Sequence, residues 1–148
     1  MKKFVLTLHF ILATIVTAVL ACLAQTQMVL HGLSQLDVQI SFSERLYMSW
    51  QDLAGLLPSY GSIILLGLAI GFGATKLIRR YTSIKSPNLY IFAGGAVMAV
   101  ILIAMQPVLG VTLIAGARSS FGIILQIIAG MIGGFCFMRL RKPQHSAQ

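Results

Sequence analysis

Four apolar runs dominate the chain, and none of them contains an acidic residue: Phe4–Ala24, Gly61–Leu77, Leu89–Met105 and Phe121–Met138. A helix that crosses the roughly 30 Å hydrocarbon layer needs about 20 apolar residues, with a range of about 17 to 25. The first run meets that length comfortably and the other three lie near its short limit. Backbone groups in lipid must be paired within their own segment or within a closed barrel. Barrel strands alternate apolar and polar residues, and these runs do not, so helices are the expected element. Composition points the same way: 57% of the 148 residues are hydrophobic and 9% are charged, against about 25% charged in soluble domains. The sequence therefore predicts one all-α domain over residues 1–148, an integral membrane bundle of four transmembrane helices.

Basic residues give the orientation. Lys2 and Lys3 precede the first run, Lys76, Arg79, Arg80 and Lys85 separate the second from the third, and Arg139, Arg141 and Lys142 follow the fourth. On the opposite side stand Arg45 and Arg118, together with all three acids, Asp37, Glu44 and Asp52. A nine-to-two split in Lys and Arg predicts cytoplasmic N- and C-termini. The net charge of +8 is thus a product of topology. Nucleic acid is not an expected partner, because phosphate binding needs one clustered basic face. Membrane lipid is an expected partner, since short basic clusters attract anionic headgroups.

A rival reading of the N-terminus takes Val19-Leu20-Ala21-Cys22 as a lipoprotein signal, with cleavage before Cys22 and lipidation of its thiol. The apolar stretch is longer than the usual ~7–15 residues of a signal core, and the rest of the topology is the same in both readings.

The longest polar stretch is the outer loop, residues 25–60. Val38, Ile40 and Phe42 alternate with polar residues as in a short strand. Ser41-x-x-Glu44 has the form of a capping box. Leu46, Trp50, Leu53, Ala54 and Leu57 then share one helical face, up to Pro58-Ser59-Tyr60-Gly61. That pattern predicts a short outer interfacial helix over Glu44–Leu57, either lying on the membrane with Tyr47 and Trp50 as anchors or capping the bundle in water. Beyond Gln106-Pro107, residues Val108–Ala117 either continue the third run or re-enter the interface, and Ser119 or Ser120 is placed to cap the fourth.

Small residues recur at four-residue spacing, notably Gly67 and Gly71, Gly95 and Ala99, and Gly122, Gly130 and Gly134 with Gln126 in the same stripe. Residues four apart share a helix face, and small ones allow close backbone approach. A buried Gln126 amide is expected to find an interhelical partner.

Candidates for chemistry are few. Cys22 falls near the outer end of the first run and Cys136 near the inner end of the fourth, on opposite sides of a roughly 30 Å core and beyond the ~7 Å Cα separation of a disulfide. His9, His31 and His145 are too far apart along the chain to share a metal or haem, and no cofactor motif is present. Arg118 stands where arginine is disfavoured. It is expected to pair with Asp52 or Glu44, to bind a phosphate at the start of the fourth helix, or to touch a headgroup. Asp52, Arg118, Gln126, Arg45 and Glu44 are accordingly the candidate structural or ligand-contacting polar residues.

The segment Asp52-Leu53-x-Gly55-Leu56-x-Pro58-x-Tyr60-Gly61, with Ala115-Gly116-Ala117-Arg118, resembles small four-helix proteins of the bacterial inner membrane to which no function is attached. The resemblance implies that location and one compact bundle. Taken together, the expected role is a non-enzymatic accessory protein or subunit acting through helix–helix contacts with a membrane protein partner or by self-association. The alternative is a small-solute or lipid carrier, as a homodimer for instance, with Arg118 and Gln126 lining its path. A membrane enzyme would need a polar cluster of Asp52, Tyr60 and Arg118.

Overall fold

The computed structural model describes residues 2–34, 41–82, 86–109 and 120–141. They form four helices: α1 (Lys2–Ser34), α2 (Phe42–Tyr81), α3 (Leu89–Leu109) and α4 (Ser120–Arg141). No strand occurs among the described residues. Three helices, α1, α2 and α4, are long and apolar enough to cross a membrane, and α3 is apolar over Leu89–Ala104.

Consecutive helices run antiparallel, and α4 closes the ring against α1. Thr17 of α1 meets Gly133, while Ala21 meets Gln126. Between α1 and α2, Ala18 lies by Gly61 and Thr26 by Asp52. Between α3 and α4, Gly94 lies on Gly130 and Tyr90 on Gly134. The core follows from one stripe per helix, with Ala13, Ala21, Ile64, Leu68, Met98 and Ala129 among its buried members. Outward-facing Leu66, Ile70, Phe92, Val100 and Ile103 remain exposed, as expected where the solvent is hydrocarbon.

The outer segment differs from its sequence reading. Glu44–Leu57 is not a separate short outer interfacial helix but the opening third of α2, which runs unbroken through Pro58. Residues 25–34 likewise extend α1 rather than belonging to a loop. Proline removes one i→i−4 hydrogen bond and crowds the carbonyl four residues back. Here that carbonyl belongs to exposed Ala54, and the loss is confined to the outward face. Leu53, Leu56, Leu57 and Tyr60 pack against the core on both sides of the proline and keep the helix continuous. Packing, not local propensity, decides the outcome.

The start of α2 is set as its sequence suggests. Ser41 is the N-cap, its hydroxyl accepting from the Glu44 amide at 3.3 Å. The Ser41 amide donates to Glu44 Oε2 at 2.7 Å and the Ser41 hydroxyl donates to the same oxygen at 2.9 Å, and these two bonds hold the Glu44 carboxyl below the usual carboxylate range. A lowered folded-state pKa means that the contribution is complete above the ordinary carboxylate pKa and is lost as pH falls through the lowered one. Amide-exchange protection at Phe42–Arg45 should therefore fall on acidification. Glu44→Gln should show the weaker protection at every pH.

Candidate functional site

Two polar places lie inside the bundle, and a third lies at one end. The first is the node around Gln126, which is 1% exposed. Its Nε2 donates to the Ala21 carbonyl at 3.0 Å, and its Oε1 accepts from the Tyr60 hydroxyl at 3.2 Å. One amide thereby joins α4 to α1 and α2. Gln126 is in the sequence-derived stripe, but its partners are a backbone carbonyl and a tyrosine that no spacing rule identifies.

The second place is one turn further along α1. The Thr26 hydroxyl lies 2.9 Å from Asp52 Oδ2 and 3.1 Å from the Cys22 carbonyl. A hydroxyl has one proton, and the carboxylate is the stronger acceptor. Asp52 thus reaches α1 through Oδ2. Arg118 and residues 110–117 lie outside the described residues, while α3 continues the third run through Pro107 to Leu109. Glu44 is engaged by Ser41, and Arg45 is half-buried with its carbonyl accepting from Ser49. Asp52 and Tyr60 are eight residues apart on α2, about 12 Å along the axis, and each is bonded elsewhere. The two side chains do not meet one another. Gln25 Oε1 is buried without a hydrogen-bond partner.

The glycine stripes meet specific surfaces. Gly67 and Gly71 receive Val97 and Ile101 of α3. Gly130 and Gly134 lie against the backbone carbonyls of Gly94 and Tyr90. Gly122 is buried.

The third place is the end where α1 begins and α4 ends. Each helix contributes one aromatic ring: Phe10, Phe72, Tyr90 and Phe137. Phe72 and Phe137 stack at 4.7 Å, and Tyr90 meets them edge-on at 5.6 and 5.2 Å. Arg79 and Arg141 both lie over the Tyr90 ring, at 5.6 and 5.2 Å. Arg141 also donates to the Tyr90 hydroxyl. With Lys76 and Arg80 they line a recess of about 330 Å³. An apolar cavity of about 280 Å³ adjoins it, between α1 and α2. The two share Lys76, Tyr90 and Arg141. In the sequence these cations read as orientation signals and as short clusters that attract headgroups, not as the lining of one recess. The ring of aromatics, one residue per run, leaves no trace in sequence spacing.

Among the described residues, fold and site define an all-helical bundle with three helices long and apolar enough to cross a membrane, a polar node at Gln126 and one cationic end. The chain matches no protein-family model, no curated protein and no solved structure.

Proposed function

We propose that the chain is a four-span protein of the bacterial inner membrane with cytoplasmic termini, serving without catalysis as an accessory protein or subunit. It works through helix contacts with a second membrane protein. The observation that carries this reading is an apolar stripe that lipid cannot cover. Phe42, Leu46 and Trp50, at four-residue spacing on α2, are 77, 58 and 71% exposed. They lie on the same helical face as Leu53 and Leu57, which pack on the core. If Lys76 marks one edge of the hydrocarbon, the other edge falls about 20 residues back along α2, near residue 56. Leu46 then stands about 15 Å beyond it and Phe42 about 21 Å. Headgroups add only ~5–8 Å per side. A stripe that is packed below and bare above suits an apolar partner surface.

The carrier reading gains less support. A path past Gln126 needs a free amide, and both ends of that amide are bonded within the protein.

Native mass spectrometry of the protein released gently from its own membrane tests the proposal. The expected spectrum shows a stoichiometric complex with one distinct protein, lost in Leu46→Ser/Trp50→Ser while the monomer's unfolding midpoint is unchanged. Flight alone, with the same substitutions lowering the midpoint, would mean that the stripe is covered from within the chain itself. The accessory reading would then fall.

A further inference from the structure

The geometry points to a binding site for an anionic phospholipid at the end of the bundle where α1 begins and α4 ends. The phosphate sits among Lys76, Arg79, Arg80 and Arg141, and an acyl chain lies in the adjoining cavity between α1 and α2. This goes beyond the accessory role and does not depend on it.

Charge is the first argument. The chain has three acidic side chains in all, Asp37, Glu44 and Asp52, and the two among the described residues, Glu44 and Asp52, both lie in the first third of α2, far from this recess. Asp52 precedes Lys76 by 24 residues of continuous helix, about 36 Å. That is several times the ~8 Å screening length at physiological ionic strength. Four cations thus share one recess that neither Glu44 nor Asp52 reaches, and two of the guanidiniums are held on a single tyrosine. Like charges fixed together disfavour one another, and a bound anion relieves that repulsion. Guanidinium groups suit phosphate oxygens because their planar fork can donate two parallel hydrogen bonds.

Shape is the second argument. The recess is not an isolated polar patch, because it opens directly into the apolar cavity. Leu6 and Phe10 line that cavity from α1, and Ala69, Phe72 and Gly73 line it from α2. From Lys76 to Ala69 the cavity follows seven residues of α2, about 10 Å, enough for the first methylenes of an acyl chain. Ala69, Gly73 and Lys76 are exposed, so the cavity faces the lipid from which a chain would enter. Gly73 has open space where a side chain would stand. The site is cationic at one end and apolar along its length, and so is complementary to an anionic amphiphile. Free phosphate would fill the polar half only.

The test uses the full chain, delipidated in neutral detergent and titrated by native mass spectrometry. Phosphatidylglycerol and phosphatidylcholine with identical chains are added as an equimolar mixture. One phosphatidylglycerol should survive activation that strips phosphatidylcholine. Lys76→Gln/Arg141→Gln should reduce its occupancy about tenfold. Arg139→Gln should not, because Arg139 lies over Phe135 outside the recess, although it removes the same kind of charge. Gly73→Leu should reduce binding with an unchanged lipid-free unfolding midpoint, and this result decides the matter if the cation variant does not fold. Equal retention of the two lipids would overturn the proposal. So would displacement by millimolar inorganic phosphate together with normal binding in Gly73→Leu, which would mark a free-phosphate site.

Discussion

Replacing Gly130 with alanine is expected to lower the unfolding stability of the detergent-solubilised protein by about 3 kcal/mol, the upper end for overpacking. The same replacement at Gly55 should leave stability level or raise it. At Gly130 an added Cβ would fall on the carbonyl of Gly94 and on the Met98 side chain. A side chain can turn aside, but a backbone carbonyl inside a helix can move only if α3 moves. Gly94 and Gly134 meet the facing backbone in the same way, at Gly130 and Tyr90, so a local shift at one contact disturbs the others. At Gly55 nothing lies within 4 Å of the place a methyl group would occupy. There alanine brings only its helix propensity, worth up to about 1 kcal/mol over glycine. Opposite signs for one chemical change would locate the α3–α4 contact. Equal effects at the two glycines would show that the helices do not meet there.

The second large effect is expected at Gln126. Gln126→Leu removes two interhelical hydrogen bonds and leaves the buried Tyr60 hydroxyl without its acceptor. Interhelical bonds in membranes average about 0.6 kcal/mol, whereas an orphaned buried polar group costs about 1–3 kcal/mol. The orphan therefore dominates, and a loss of about 2–3 kcal/mol follows. Tyr60→Phe should cost less, since Gln126 keeps its bond to Ala21. In the double variant Gln126→Leu/Tyr60→Phe the orphan disappears, so the loss should be smaller than the sum of the singles. Additive losses in a denaturation cycle would refute the coupling.

The sequence makes the helical class and three long apolar helices legible because the solvent imposes them: long apolar runs without acids admit few other structures. The capping box at Ser41 and Glu44 is legible for a similar reason, since the interaction is local. What escapes is direction. Leu46, Trp50, Leu53 and Leu57 announce a helix with one apolar face, but periodicity does not say whether its axis lies along the membrane or rises from it. Pro58 and the polar residues around it suggest a break that core packing overrides. The glycine stripes are visible, yet their registry depends on which helices are neighbours. The candidate cationic site escapes for another reason. Lys76, Arg79, Arg80 and Arg141 already have a sufficient explanation in topology, and only the folded ring brings them onto Tyr90.

Continuity through Pro58 also has a mechanical meaning. The aromatic quartet grips α2 at Phe72, leaving eight residues to Arg80 on one side and thirty to Phe42 on the other. In length these arms are about 12 and 45 Å. A rigid tilt of α2 about that grip would carry Phe42 roughly four times as far as Arg80, and only by breaking the contacts of Asp52 and Tyr60 with α1 and α4, so the long arm is also the pinned one.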